Sequence, residues 1–228
     1  MPEKIMIFID GANIFNSIRE INEKIREENE KLPPEQKVGE INIDYNKLIN
    51  ELSNNREVIR AYFFDGDRVP STREGFFNSL RQSGINVVTR PLRGRELNCL
   101  KCNLFKSIKE QKKFESKGTE IIQPFNKSNN GKVLIFRQEY QKGVDVALVT
   151  ELLRMAREGV YDTAIVISGD NDYKNAIECT KLWGKRVEVA SFRKALGADL
   201  KQVADRLIFL DNILDKIKRQ IKSGKISP

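Results

Sequence analysis

Carboxylates follow two short apolar runs in this chain, at the places where a parallel sheet would present side chains to a ligand. Asp10 follows the run at residues 5–9, and Asp170 and Asp172 follow the run at residues 163–167. Such runs predict strands buried on both faces, and open α/β sheets bind ligands at the carboxyl ends of their strands. If these strands are neighbours, about 4.8 Å apart, their terminal carboxylates can share one cation.

Three further acids stand near this predicted edge. Asp145 falls in the first turn of a predicted apolar helix, where the helix dipole alone can favour it. Gly143, two residues earlier, lets the backbone turn tightly toward a ligand. Asp65 and Asp67 end another predicted strand farther from the centre, and turn chemistry is the favoured role for both.

Neighbouring polar residues can support the acids. The Asn13 amide can hold a carboxylate or a phosphate, and Ser168 can donate to a phosphate or fix Asp170. Asp172 can bind a second cation, hold a water ligand or complete a helix cap. Helix capping is the alternative role for Asp10 and Asp170, but two such acids on separate buried strands favour a functional site.

The composition limits the kinds of catalytic base, metal ligand and substrate that are expected. The chain has 228 residues, a net charge of +8 and no histidine. An imidazole base or metal ligand is therefore excluded, and oxygen ligands favour Mg²⁺ or Mn²⁺ over Zn²⁺. A basic chain with an acidic cluster favours a polyanionic substrate, with nucleic acid ahead of the alternative, a lysine-rich surface that serves only solubility.

The cysteines and the apolar segments indicate a compartment. Three cysteines, an odd number, argue against a secreted disulfide framework. There is no signal-peptide pattern and no apolar stretch of membrane-spanning length, so we expect a cytoplasmic protein without a membrane partner. Cys99 and Cys102 form half a zinc site, and we do not expect zinc there. A redox or disulfide role and inert exposed thiols are the alternatives, and Cys179 is expected in the core.

The positions of the acids depend on alternating strands and helices. Strands are predicted at residues 5–9, 58–64, 85–89, 133–136, 163–167, 187–191 and 207–210. Helices are predicted at residues 14–25, 44–52, 71–83, 143–157, 170–182 and 200–204. This alternation predicts one α/β domain with a parallel sheet sandwiched by helices, and no second domain.

Two segments depart from this pattern. Residues 93–131 are predicted to be an insertion of loop or hairpin character, whose lysines form either a positive groove or a disordered solvated loop. Residues 212–228 are predicted to be a basic C-terminal helix or tail. Its apolar stripe packs on its own domain or, alternatively, forms a homodimer seam. The lysines of the insertion are Lys106, Lys109, Lys112 and Lys113. The apolar residues of the stripe are Leu210, Ile213, Leu214, Ile217 and Ile221.

Three motifs together resemble the signature motifs of NYN-domain proteins, which are members of the PIN-like nuclease superfamily. They are Phe8-Ile-Asp-Gly-Ala-Asn13, Lys142-Gly-Val-Asp-Val-Ala-Leu148 and Ser168-Gly-Asp-Asn-Asp-Tyr173. The resemblance covers about residues 4 to 211 apart from the insertion, and we take residues 1–211 as the domain. It implies a Rossmann-like, PIN-like sheet and a ribonuclease site. The metal-binding acids that it implies are Asp10, Asp145, Asp170 and Asp172, with Asn13 in support.

The implied reaction is hydrolysis of an RNA phosphodiester bond with Mg²⁺ or Mn²⁺, and RNA is expected ahead of DNA. Asn13, Lys142 and Ser168 are the expected substrate contacts. One alternative is a nucleic-acid-binding or regulatory module with a vestigial metal site. Another is a phosphatase with an aspartyl nucleophile. It is weaker, because Asp10 is followed by Gly-Ala-Asn rather than by a second acid two residues on.

Overall fold

The computed structural model describes residues 2–67, 70–99, 119–123, 134–140 and 143–219, which divide into two compact units. The larger unit contains the described parts of Met1–Asp65, Arg73–Thr89 and Val144–Pro228. The smaller unit contains the described parts of Gly66–Thr72 and Arg90–Gly143.

Nine strands lie within the described residues. They are β1 (Lys4–Asp10), β2 (Glu57–Asp67), β3 (Ile85–Pro91), β4 (Arg93–Cys99), β5 (Thr119–Gln123), β6 (Leu134–Tyr140), β7 (Thr163–Ile167), β8 (Arg186–Ser191) and β9 (Arg206–Phe209). Six of them form a parallel sheet in the order β3-β2-β1-β7-β8-β9. The predicted α/β fold with a parallel, Rossmann-like sheet between helices is therefore confirmed.

The strand order reverses between β1 and β7. From β1 the sheet extends through β2 to β3 on one side, and from β7 it extends through β8 to β9 on the other. β1 pairs in parallel with both β2 and β7, with Ile9 opposite Ile167. A reversal of this kind is the topological switch point at which open α/β sheets bind ligands. The acids that follow β1 and β7 therefore lie on the two sides of that point.

Helices alternate with the strands, as predicted. Within the described residues they are α1 (Gly11–Asn29), α2 (Tyr45–Ser53), α3 (Glu74–Gln82), α4 (Val144–Arg157), α5 (Lys174–Leu182), α6 (Ala198–Val203) and α7 (Leu214–Ile217). Short 3-10 segments occupy Pro34–Gln36, Asn171–Tyr173 and Leu210–Ile213. The predicted cap of α2 is confirmed, because the Asp44 carboxylate accepts hydrogen bonds from the backbone N–H groups of Asn46 and Lys47.

The central strand is buried on both faces, which explains why its sequence is continuously apolar. Met6 and Phe8 belong to one core layer, which also contains apolar residues of α4, α5 and α6. Ile5, Ile7 and Ile9 belong to the other layer, with residues of α1, α2 and α3. Side chains alternate between the two faces of a strand, so β1 supplies both layers and holds its terminal residue rigidly.

Several predicted boundaries shift. β2 continues to Asp67 and β3 to Pro91. The strand predicted at residues 133–136 is β6, which begins and ends later. Within residues 93–131 the structure describes β4 and β5, and β6 lies between them in an antiparallel sheet. Cys102, the lysines at residues 106–113 and Lys142 lie outside the described residues.

The C-terminal stripe packs on its own domain as far as the structure describes it. Leu210 and Ile217 are buried in the layer that contains α1, and Ile213 and Leu214 pack against that layer. Ile221 lies outside the described residues. No helix in the described part of the chain is long and apolar enough to cross a membrane.

Candidate active site

Asp10 is a buried carboxylate at the switch point. It is the last residue of β1 and caps α1 by accepting a hydrogen bond from the Asn13 backbone N–H at 3.1 Å. Its other oxygen accepts from the Ser168 hydroxyl at 2.9 Å, directly after β7. Both side chains are almost inaccessible, with Asp10 5% and Ser168 1% exposed. The capping role and the place in a site therefore coincide in Asp10.

A third donor reaches Asp10 from a residue to which the sequence analysis gave no role. The Tyr173 hydroxyl lies 3.3 Å from Asp10 Oδ2 and 3.1 Å from Asp145 Oδ1. Both distances exceed the usual 2.7–2.8 Å for O–H···O, as expected when one proton is shared by two acceptors. Tyr173 is 1% exposed. It joins the carboxylate at the end of β1 to the carboxylate in the first turn of α4.

A sequence signal for the burial of Tyr173 exists in retrospect. Tyr173, Ala176, Ile177 and Thr180 recur at helical spacing, and all four are buried. That spacing predicts a tyrosine facing inward at the start of a helix. A buried tyrosine hydroxyl needs a partner. The sequence does not show that its partners are two carboxylates from β1 and α4.

The protonation of these groups follows from burial. Burial raises the pKa of Asp10, the hydrogen bonds from Asn13, Ser168 and Tyr173 oppose that rise, and the charge of Asp145 adds to it. Burial and the two neighbouring carboxylates also raise the pKa of the Tyr173 hydroxyl. The tyrosine therefore stays protonated at neutral pH and acts as a donor.

Asp145 is exposed to solvent, in contrast to Asp10. It lies in the first turn of α4, two residues after Gly143, whose φ of 81° is in the left-handed region. A positive φ of this kind suits glycine, and the tight turn toward a ligand stays a prediction. Tyr173 thus brings together one buried acid and one accessible acid, which we call the acid pair.

Asp170 and Asp172 are exposed and do not join the acid pair directly. The Asp170 carboxylate accepts a hydrogen bond from the Asp172 backbone N–H at 3.0 Å and caps the 3-10 segment. All four expected acids are described, and within the described residues no three Cys, Asp or Glu side chains form a group that could hold one metal ion. The metal-binding role of Asp10, Asp145, Asp170 and Asp172 therefore stays a prediction.

The supporting residues bind protein groups. Asn13 Oδ1 accepts from the Gly169 backbone N–H at 3.1 Å, so Asn13 ties the start of α1 to the turn after β7. The Ser168 hydroxyl donates to Asp10 and accepts from the Asp170 N–H at 3.2 Å. Of the two roles predicted for Ser168, the fixing of Asp170 is found. The buried hydroxyl gives its proton to Asp10, and its contact with a phosphate stays a prediction.

The glycines after the two acids permit close packing. A Cβ atom on Gly169 would lie 2.1 Å from the Ala195 carbonyl oxygen. A Cβ atom on Gly11 would lie 2.6 Å from the Phe63 ring. Any larger residue would push the turn away from its neighbours, so the glycines hold the ends of β1 and β7 in place.

The turn role predicted for Asp65 and Asp67 is wrong, because both lie within β2. Asp65 is 1% exposed and forms an ion pair of 2.8 Å with Arg73. The Arg73 guanidinium lies over the rings of Phe15 and Phe77, at 5.5 and 5.1 Å from their centroids. This pair anchors the start of α3 to β2.

The fold and these side chains define a Rossmann-like α/β domain with a carboxylate site at its switch point. The chain belongs to the NYN domain family, whose model matches residues 4–211. NYN domains are generally nucleases that bind nucleic acids, and PIN-like nucleases typically use divalent metals.

Individual relatives share between 20% and 34% sequence identity with this chain over the aligned residues. The chain is 24% identical over 220 residues to low amplitude and bright protein LabA of Synechococcus elongatus, covering 96% of this chain and 89% of LabA. It is 34% identical over 71 residues to uncharacterized protein y4oD of Sinorhizobium fredii, covering 30% of this chain and 33% of y4oD. A crystal structure of a Vibrio parahaemolyticus protein of unknown function has a TM-score of 0.58 and 20% identity, covering 96% of this chain and 97% of that one. That structural likeness shows the fold alone.

The burial of Asp10 predicts a gain in stability when its charge is removed without metal. The pKa of Asp10 is raised in the folded protein, so its ionised form costs stability at neutral pH, and this cost disappears as the pH falls below the unfolded pKa of about 3.9. Asp10→Asn keeps the shape, and the Ser168 and Tyr173 hydroxyls can rotate to accept from the new amide. In EDTA at pH 7 we expect the melting temperature to rise by about 2–4 °C, the effect of 1 kcal/mol in a chain of this size.

The control is the pH dependence of that difference, measured by differential scanning fluorimetry. The gain should shrink as the pH is lowered, because wild-type Asp10 becomes protonated. A variant that is less stable at neutral pH, or a gain that grows on acidification, would contradict this description of Asp10.

Proposed function

We propose that the chain is a metal-dependent ribonuclease that hydrolyses phosphodiester bonds at the acid pair. The observation that carries the proposal is the Tyr173 hydroxyl, which binds the carboxylates of Asp10 and Asp145. One of these acids is fixed and buried, whereas the other is open to solvent. Such a pair at the switch point of a NYN domain can take up a cation and present it to a substrate.

The donor set fits Mg²⁺ or Mn²⁺. A carboxylate has about four acceptor lone pairs, and three of those on Asp10 are used by Asn13, Ser168 and Tyr173. One lone pair therefore remains for an ion, and Asp145 supplies a second carboxylate. Mg²⁺ is commonly held by one or two carboxylates together with waters and substrate phosphates rather than by an all-protein cage. Two acids therefore suffice.

In this proposal, Asp170 and Asp172 act through water molecules and do not bind the ion directly. Asp170 and Asp172 are exposed at the start of the segment that leads into α5. Exposed carboxylates at this position can accept hydrogen bonds from water molecules that contact the ion or the substrate. Their contribution to activity should therefore be smaller than that of the acid pair.

The metal ion and the residues of the chain have separate roles in the proposed reaction. A Mg²⁺ or Mn²⁺ ion held by Asp10 and Asp145 would lower the pKa of an attacking water and offset the charge that builds on the phosphate. Asn13 and Ser168 hold the Asp10 carboxylate in one orientation. Tyr173 sets that carboxylate against Asp145. These contacts are present before substrate arrives, so little reorganisation is needed during the reaction.

Charge supports a nucleic-acid substrate. The net charge of +8 favours the approach of a polyanion, which the acids alone would repel. Hydrolysis by an activated water does not require a ribose 2′-hydroxyl, so a preference for RNA over DNA must arise in binding. Asn13 and Lys142 are the proposed phosphate contacts, and the proposal for Lys142 rests on the sequence alone.

A second candidate function is nucleic-acid binding or regulation with a vestigial site. One observation favours it: the Asp170 carboxylate caps its own helical segment instead of joining the acid pair. The phosphatase alternative is weakened by the structure. Asp10 is 5% exposed and both its oxygens accept hydrogen bonds, so it is a poor nucleophile.

The ribonuclease proposal is tested with labelled RNA and DNA, with Mn²⁺ or with EDTA. The wild type should cleave RNA only with the metal, and Asp10→Asn and Asp145→Asn should each lower the rate by about 100-fold or more. Mn²⁺ should raise the melting temperature of the wild type by mass action, and both variants should lose most of that shift.

Asp215→Asn is the matched control, because Asp215 is exposed on α7 and pairs with Lys218. It should cleave and bind Mn²⁺ like the wild type. Full activity in Asp10→Asn would rule out the acid pair. Tight RNA binding without metal-dependent cleavage by the wild type would favour the binding module.

Tyr173→Phe tests the shared hydroxyl. The variant keeps the buried ring and removes only the donor, so the carboxylates lose the contact that orients them. Removing such a supporting hydrogen bond typically costs 10–100-fold in metal affinity or activity. We therefore expect half-maximal cleavage to need about tenfold more Mn²⁺, with most of the rate recovered at saturation.

Tyr161 provides the control for this experiment. Its buried hydroxyl donates to the Leu152 carbonyl, away from the acids. Tyr161→Phe should lower the melting temperature without changing the Mn²⁺ requirement. An unchanged requirement in Tyr173→Phe would show that the hydroxyl has no part in metal binding.

A further inference from the structure

A pocket of about 240 Å³ opens between α1 and the segment that follows β8. Ser17 and Ile21 line it from α1, and Phe192 and Ala195 line it from the other side. All of these residues belong to the larger unit. The volume is below the roughly 300–1,000 Å³ of pockets that hold drug-sized ligands. A pocket of this volume suits a single small group.

Asn13 belongs to both the pocket and the acid site. Asn13 lines the pocket, its backbone N–H donates to Asp10, and its Oδ1 accepts from the Gly169 N–H. One residue of the pocket therefore contacts the Asp10 carboxylate directly. A strand whose phosphodiester lies at the acid pair would place an adjoining nucleotide at this pocket.

The charges of the pocket suit a base better than a phosphate. Two lysines, Lys24 and Lys194, are balanced by two acids, Glu20 and Asp211, and Lys194 forms an ion pair with Glu20. A lining without net charge does not select an anion. It supplies both donors and acceptors, which is what the edge of a nucleobase requires. Ile21 and Ala195, which are both partly exposed, provide apolar contacts for the faces of the base.

The pocket is tied mechanically to the turn after β7. The Gly197 N–H donates to the Gly169 carbonyl at 2.8 Å, and Gly169 packs against the Ala195 backbone. Asn171 accepts from the Asp199 N–H at 3.1 Å. The wall formed by Ala195 therefore keeps a fixed position relative to the acids, so occupancy of the pocket can set the register of a strand.

We propose that this pocket binds one nucleobase of a single RNA strand, next to the phosphodiester held at the acid pair. The proposal deepens the ribonuclease function and rests on it. The base is held between the apolar walls, with its edge toward the charged side chains. Single-stranded RNA is the form that can insert an unstacked base in this way.

The test fills the pocket and measures binding without cleavage. Ser17→Phe adds a ring to the α1 wall, and Asn16→Phe does so from an exposed position that also lines the pocket. Glu23→Phe is the matched control, because Glu23 is exposed on α1 and is absent from the lining. The probes are a short oligouridine and an abasic ribose-phosphate chain of equal length, with binding followed by fluorescence anisotropy in EDTA.

The wild type and Glu23→Phe should prefer oligouridine over the abasic chain by about tenfold or more, the effect of one bound base. Ser17→Phe and Asn16→Phe should lose most of that preference and keep the Mn²⁺-induced rise in melting temperature. A filled pocket that retains the full preference would overturn the proposal. A wild type that prefers the base but never cleaves RNA with Mn²⁺ would refute the ribonuclease function and leave the base pocket standing.

Discussion

The burial of one carboxylate, Asp10, is the constraint on which the site depends. An ionised carboxylate away from water is tolerated only when hydrogen-bond donors surround it. Those donors come from three places in the chain: the Asn13 N–H at the start of α1, the Ser168 hydroxyl after β7 and the Tyr173 hydroxyl before α5. Satisfying one charge therefore fixes the relative positions of two central strands and the helices that follow them.

In the ribonuclease that we propose, the same constraint prepares the site for a cation. The donors do not fully offset burial, so the pKa of Asp10 stays raised, and the nearby charge of Asp145 adds to the cost. A divalent ion bound there would offset the negative charge and so stabilise the folded domain. Tyr173 shares its proton between the two acids and so prevents them from moving apart. In this account, instability of the metal-free site and affinity for metal have one cause.

Sequence reasoning succeeded where one physical requirement determines the pattern. β7 matches its predicted bounds because a strand buried on both faces must be apolar throughout, and Asp44 caps α2 because its short side chain bonds backbone N–H groups locally. It failed where the contacts of a residue depend on the direction in which its side chain points. The spacing of Asp170 does not reveal that its carboxylate turns back to its own segment, nor that Tyr173 reaches two acids distant in sequence. Within residues 93–131 the prediction went no further than loop or hairpin character, because turn-forming residues there obscure the bounds of β4 and β5.

The ribonuclease function that we propose requires the acid pair to hold the metal. The most direct test is a crystal soaked in Mn²⁺, with anomalous scattering used to locate the ion. We expect a peak in contact with carboxylate oxygens of both Asp10 and Asp145, with Asp170 and Asp172 reaching it only through water. A peak bound to Asp170 and Asp172 without the acid pair, or no peak at the end of β1 in a protein that cleaves RNA with Mn²⁺, would contradict it.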